Sequence, residues 1–305
     1  MKIIEHASNI HEIVMDGKEA KIAMLSDIHW DNPKCDRALL KKDLEYCKAN
    51  NIPILINGDM FCLMQGRGDN RKNKSDIRPE HNNAKYLDSV VNTAVKWWGP
   101  YAHLIAVIGY GNHETGVLKW QETDILARFV KLLNYENNTE VKVGGYGGWL
   151  VVNQALSRFS TEEGSEEKEK GGSSKSALIK YFHGSGGGGV VTKGALNLTR
   201  ALEKYEDFDV FTMGHIHENA ARNDVRDVCV QGASTYRHVQ KQLHMMITGT
   251  YKEEYGTGGK GWHVERGAPV KPTGGRILNI EYRRVTDKDK RDFHLCQVDS
   301  HKFPI

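Results

Sequence analysis

Five short stretches of this chain carry side chains that bind hard cations and move protons: Asp27-Ile28-His29, Gly58-Asp59, Gly111-Asn112-His113-Glu114, His183-Gly184 and Gly214-His215-Ile216-His217. Carboxylate and amide oxygens mixed with imidazoles suit first-row divalent ions such as Mn, Fe or Zn better than Ca or Mg alone. Taken singly, each stretch has a plain structural reading. Asp-x-His can end a strand, Gly-Asp is a common turn, and glycine and asparagine tolerate positive φ. A histidine before glycines packs as a loop residue, and His-x-His puts two rings on one face of a strand. All five in order, each after an apolar run, make coincidence a poor explanation. Seven ligand-type residues are too many for one ion. They suit two ions about 3.5–4 Å apart that share a bridging carboxylate.

The elements that must position them follow from hydrophobic periodicity. Apolar runs at 20–26, 53–57, 104–108, 177–182 and 208–213 read as buried strands, each delivering one stretch at its C-terminal tip. Helical spacing appears over 36–49 (Leu40, Leu44, Cys47). It recurs from about 84 to 98 (Ala84, Leu87, Val91, Ala94 or Val95, Trp98), over 125–133 (Ile125, Leu126, Phe129, Val130, Leu133) and around 195–205. The opening is therefore β-α-β, which implies a parallel sheet. In open α/β sheets ligands bind beyond the carboxyl ends of the strands, so the five tips converge on one edge. Gly109 to Glu114 reads as the loop leaving the 104–108 strand. Trp149 to Val152 is a further strand, and β-like runs near 226–231, 243–248, 276–283 and 293–298 complete a glycine-rich C-terminal strand region, 218–305. Residues 160–176 are polar and charged and read as a mobile surface insertion. The whole chain, 1–305, is expected to form one domain.

In these residues the chain resembles the calcineurin-like metallophosphoesterases: Asp27-x-His29, Gly58-Asp59, Gly111-Asn112-His113-Glu114, His183 and Gly214-His215-x-His217 match that family's five motifs over 22–217. The resemblance implies an α/β fold, a four-layer α/β/β/α sandwich of two mixed sheets, with a dinuclear metal site at the strand ends. It implies that Asp27, His29 and His217 bind one ion and that Asn112, His183 and His215 bind the other, with Asp59 bridging. His113 would touch the phosphate and act as general acid. Manganese is the first choice of metal, and the same ligands accept Fe, Zn or Ni. Glu114 stands where many phosphodiesterases have aspartate; glutamate also occurs there in the phosphoprotein phosphatases. After Gly58-Asp59 the chain continues Met60-Phe61 instead of Asp-Arg-Gly, which brings it closer to the nuclease branch than to those phosphatases.

The leading function is thus hydrolysis of phosphodiesters, of nucleic acid or a nucleotide diester, by a metal-activated hydroxide. Such a water, its pKa lowered from 15.7 towards about 7, attacks in line, and the leaving alkoxide takes a proton. A phosphomonoesterase acting on a metabolite or phosphoprotein is the second reading, and a non-catalytic metal-bearing module the third. A basic segment follows Asp59, with Arg67, Arg71 and Lys72 as candidate contacts to DNA or RNA, against the plain reading of a solvated charge run. Arg237 and His238 are weaker candidates for reaching the phosphate. Gly184 to Gly189 formally matches a dinucleotide fingerprint, but His183 holds the strand tip, so it reads as a loop that lets backbone approach the metals or substrate.

Composition bounds these readings. Of 305 residues, 42 are Lys or Arg and 39 Asp or Glu, and a net charge of +3 is too small to argue for nucleic acid alone. Five scattered cysteines without a Cys-x-x-Cys pair argue against a thiolate zinc site and for a reducing compartment, the cytoplasm. No apolar run approaches transmembrane length, so no membrane partner is expected.

Overall fold

The computed structural model describes the chain except residues 66–71, 73, 157–172, 232–235, 256–261, 266, 287–291 and 305. Two mixed sheets stack face to face. The six-stranded sheet contains β3 (Glu19–Leu25), β4 (Ile54–Asn57), β5 (Ile105–Gly109), β6 (Lys142–Val143), β12 (Arg276–Thr286) and β13 (Asp292–Lys302), in the order β13-β12-β3-β4-β5-β6. The seven-stranded sheet contains β1 (Lys2–Ala7), β2 (Ile10–Asp16), β7 (Gly147–Leu156), β8 (Ser173–Phe182), β9 (Val210–Met213), β10 (Ala220–Gln231) and β11 (Tyr236–Ile247), in the order β1-β2-β7-β8-β9-β11-β10. The parallel set β3-β4-β5-β6 is the expected β-α-β core, and β12 closes it antiparallel to β3.

Strand alternation sorts side chains into three cores. On β3, Ile22 and Met24 face the space between the sheets, where they meet Leu150, Ile179 and Val210 of the other sheet. Ala23 and Leu25 face outward, against α1 (Arg37–Ala49), α2 (Tyr86–Trp98) and α4 (Ile125–Asn137). On the far side, Phe211 and Met213 of β9 pack under α5 (Ala195–Lys204). The result is the α/β/β/α sandwich. Asp36 starts α1 by accepting from the Ala38 and Leu39 N–H groups, and the helix then buries Leu40, Leu44 and Cys47. Each fully buried leucine contributes about 1.5–3 kcal/mol, so truncating Leu44 to alanine would cost about 2–5 kcal/mol.

Three sequence expectations change. The Asn-His stretch is not a loop: Asn112 is the first residue of a helix, α3 (Asn112–Gln121), which buries only Val117 as an apolar anchor and so lacks an apolar stripe. Helix α2 begins at Tyr86, leaving Ala84 exposed outside it. Residues 173–176 pair with β7 as part of β8, so the expected insertion is shorter at this end; the rest of it lies outside the described residues.

Candidate metal centre

The ligand stretches leave their strands through unusual backbone. Asp27, His29 and Asp59 each have φ near +49°, His215 has +68° and His217 +56°. Each such non-glycine residue costs on the order of 1–3 kcal/mol and persists only where the surroundings over-determine it. Here the tips are laced together. Asp27 N–H donates to Gly58 O (3.1 Å), His29 N–H to Asp59 O (3.0 Å) and Trp30 N–H to Met60 O (2.9 Å). From the C-terminal half, Thr250 Oγ1 donates to Asp27 O at 2.7 Å. Two glycines permit the close approach. A Cβ on Gly111 would lie 2.0 Å from Asp59 Oδ1, and one on Gly214 would lie 2.3 Å from Asp27 Oδ2.

The seven candidate ligands form two adjoining groups. In one, His217 Nε2 lies 3.2 Å from Asp27 Oδ1 and 3.4 Å from His29 Nε2. In the other, His183 Nε2 lies 3.2 Å from both Asp59 Oδ2 and Asn112 Oδ1, and His215 Nδ1 lies 2.8 Å from Asn112 Oδ1. Ligand atoms of Asp27, His29 and His217, and of Asp59, His183 and His215, lie within 4.8 Å of one another in each set. Burial alone would push both carboxyls up, but the imidazoles reverse this: His217 holds Asp27 below the ordinary value, and His183 holds Asp59 well below it. Burial pulls His29 well down and His113 adds to that. His183 goes the other way, to about 10, because the charge and hydrogen bond of Asp59 outweigh its burial.

His113 sits at the junction. Its N–H donates to Asp59 Oδ1 (3.0 Å), its ring Nδ1 meets Cys62 O (2.5 Å), and its Nε2 lies 3.8 Å from Asp59 Oδ2. Its ring meets that of His29 edge-on, with centroids 4.8 Å apart. Glu114 is a brace. It is buried and accepts from the Asp59, Phe61 and Gly111 N–H groups at 3.2, 2.9 and 2.8 Å, tying the β4 loop to the start of α3. Burial and the neighbouring Asp59 charge push its carboxyl up to about 8, although those N–H groups work against this.

Sequence reasoning missed other braces. Buried Asp31 accepts from Cys62 N, Leu63 N (3.0 Å) and the Tyr86 hydroxyl (3.0 Å), holding the loop that carries the His113 acceptor. Ser26 donates to Asp27 Oδ2, and His215 N–H does the same at 2.8 Å. Only Asp31, in a polar run after Asp27-x-His29, offered any signal, and a lone aspartate is a weak one.

Of the candidate substrate residues, Arg67 and Arg71 lie outside the described residues, and Lys72 is exposed. Arg237 and His238 are at the wrong end of the molecule. β11 runs parallel to β9, so its Ile247 end lies at the centre, and His238 is nine residues back towards the hairpin turn. At about 3.4 Å per residue that is roughly 30 Å away. His238 Nε2 contacts Asp227 Oδ1 across the hairpin instead.

The residues fit divalent ions on two counts. Asp27 Oδ1 is buried without a hydrogen-bond donor. His183 Nδ1 faces the Asn57 carbonyl at 2.8 Å, and that bond leaves Nε2 free to point at the cluster, as in many metal sites. Cys62 also lies near His29 and His113, but burial pushes its thiol up to about 12 and it accepts a hydrogen bond from Asn32.

The sandwich and its strand-tip cluster of carboxylate, amide and imidazole groups define a metal-dependent hydrolase class. The family model for calcineurin-like phosphoesterases matches residues 20–219, and the chain belongs to that family. Its general activity is hydrolysis of phosphoesters with divalent metals. No curated protein sequence matches the chain. Among solved structures it is similar to Chaetomium thermophilum Vps29, with 11% identity, 95% of this chain and 100% of that chain covered, and a TM-score of 0.32. Vps29 of the same organism complexed with the RaPID-derived cyclic peptide RT-D3 gives 9% identity, the same coverage and a TM-score of 0.24. Likeness at this level has no bearing on function.

Proposed function

We propose that the chain hydrolyses phosphodiesters, of nucleic acid or a nucleotide diester, at a dinuclear centre. Asp27, His29 and His217 would hold one ion, Asn112, His183 and His215 the other, and Asp59 both, with manganese the first choice. Bound there, the ions would neutralise the phosphate and lower the pKa of the attacking water. The chain's own task is then to place groups around the ester. His113 has its Nδ1 engaged by Cys62 O, and its Nε2, 3.8 Å from Asp59 Oδ2, is the atom that would donate a proton to the leaving oxygen. Glu114 and the Gly111 backbone hold that imidazole beside Asp59.

One observation favours diesters over monoesters. The positions after Asp59 are Met60 and Phe61, both fully buried, with the Phe61 ring edge-on to Phe129 at 5.3 Å. No arginine or lysine among the described residues hydrogen-bonds or ion-pairs with the seven ligand positions; Lys252, whose charge reaches His29, is ion-paired with Glu254. A monoester dianion brings more charge to the centre and gains more from such a cation than a diester does. Under added manganese, bis-nitrophenyl phosphate should be cleaved faster than mono-nitrophenyl phosphate; selective cleavage of the monoester would overturn the preference. Three buried free cysteines, Cys35, Cys47 and Cys62, support a reducing compartment such as the cytoplasm. Among the described residues no helix is long and apolar enough to cross a membrane.

A further inference from the structure

On the outer face of the seven-stranded sheet, α5 roofs a cavity of about 190 Å³ whose lining includes Phe182, Ser185 and Met213, close in sequence to the candidate ligands His183 and His215. Alternation along β8 sends Tyr181 into the core between the sheets and Phe182 out to this face. The floor is aromatic, with Phe182, Phe211 and Tyr205, the last two stacked at 5.7 Å. The roof is polar. Asn197, Arg200 and Lys204 recur at three- and four-residue spacing on one face of α5, and small Ala201 leaves the room between them.

These polar groups lack partners of their own kind. The Asn197 amide nitrogen is buried with no hydrogen-bond acceptor. Among the described residues, neither Arg200 nor Lys204 is paired with a carboxylate. Lys204 Nζ hangs over the Phe182 and Tyr205 rings at 4.8 and 5.3 Å. Lys180 Nζ approaches Tyr205 as well, at 4.9 Å, and burial followed by the charge of Lys204 pulls its pKa down. Two lysines thus share one tyrosine, Arg200 lines the same cavity, and among the described residues none of the three is ion-paired with a carboxylate. An anion there would relieve their repulsion and satisfy the amide. At ~30 Å³ per water the cavity has room for about six waters, enough for one planar ring and too little for a peptide or a lipid chain.

We propose that this cavity binds a small phosphorylated aromatic molecule, with the ring against Phe182 and Phe211 and the phosphate held by Arg200, Lys204 and the Asn197 amide. A mononucleotide and a phenolic phosphate share this chemistry. The cavity neighbours the strand tips that carry His183 and His215, but the proposal needs no metal there and stands or falls without the catalytic reading.

Calorimetric titration of the full chain with phenyl phosphate, AMP, adenosine and inorganic phosphate, with and without manganese, tests the proposal. The expected result is a binding event for phenyl phosphate or AMP that persists without manganese. It should weaken at least tenfold in an Arg200→Glu/Lys204→Glu double variant, whose exposed positions should leave the melting temperature unchanged. Ala201→Leu, which fills the cavity but keeps the charges, should weaken phenyl phosphate or AMP more than inorganic phosphate. AMP alone would identify the ligand as a nucleotide, phenyl phosphate alone as a simple aryl phosphate. Equal affinity in wild type and double variant, binding only with manganese, or inorganic phosphate or adenosine binding as tightly as the phosphorylated aromatics would overturn it.

Discussion

The two halves of the ligand cluster are built on different principles. Asp27, His29 and His217 all sit on left-handed backbone, and their carboxylate keeps one oxygen without a donor. Asn112, His183 and His215 satisfy one another: the Asn112 amide oxygen meets both rings, and Asp59 and the Asn57 carbonyl grip the two nitrogens of His183. Both halves carry left-handed residues, His215 and the shared Asp59 included, so the difference lies in the bonding: in the first half Asp27 Oδ1 has only the His217 ring beside it, whereas the second is a closed network. Local strain held by a rigid surround is a common way of keeping ligands preorganised. Asp27 also supports its neighbour, because its Oδ2 accepts the His215 N–H. The dependence therefore runs more strongly one way than the other.

The largest expected effect removes what the halves share. Asp59 faces His183 and His113 and would touch both ions, so Asp59→Asn should cut metal-dependent turnover of bis-nitrophenyl phosphate by on the order of 10²–10³-fold or more. Retention of wild-type turnover would show that the ester is not cleaved at this centre. Next comes the proton. His113→Ala should leave metal content intact and lower turnover by roughly 10²-fold on an unactivated ester, with a smaller loss on nitrophenyl esters, whose leaving group needs no proton. Unchanged kinetics on the unactivated ester would remove His113 from that role.

A pair of variants separates the halves directly. Asn112→Ala removes an oxygen that touches only the second half, and should reduce tightly held manganese after dialysis from two equivalents to one. Asp27→Ala removes both the orphan oxygen and the brace on His215, and should leave less than one equivalent. Elemental analysis of the dialysed proteins reads the difference, with affinity changes of about 10–100-fold expected for such oriented partners. Equal stoichiometry in the two variants would show that the halves are independent.

The strand tips could be read from the chain because each couples a short apolar run to residues whose chemistry is unusual at a strand end. Asp27, Asp59 and His183 carry that signal within a few positions. The elements that brace them do not. Helix α3 starts on Asn112 and His113, which the site needs, and spends another turn on Gly116, so no apolar periodicity survives. β1 and β2 form the edge of the seven-stranded sheet, where Ile13 is the one fully buried apolar residue, so no buried apolar run marks them. β10 lies at the opposite edge and, Val225 apart, is polar from Arg222 to Asp227, so only its apolar end was visible. Glu114 was ambiguous in sequence because its three partners are backbone N–H groups of two segments, and backbone partners leave no trace in residue type.

The smallest effect is a pH dependence that must be known before acid losses at the centre are interpreted. His244 of β11 is buried, its Nδ1 2.6 Å from Asn223 Oδ1 and its Nε2 2.8 Å from Ser300 Oγ on β13, so it joins the two sheets. Burial, then the nearby Arg276 charge, lowers its pKa from 6.5 to about 4, against a weaker opposite pull from Asp299. Between those values the unfolded chain takes a proton that the folded chain refuses, so stability falls as pH drops from 6.5 towards 4. At about 1.4 kcal/mol per pKa unit the loss is on the order of 2–3 kcal/mol. Urea unfolding of His244→Gln at pH 7 and pH 4.5 should show a smaller decrease than wild type by about that amount. If the two decreases match, His244 is not the acid-sensitive group, and the difference must be sought among the ligand imidazoles, where the two halves would again be distinguished.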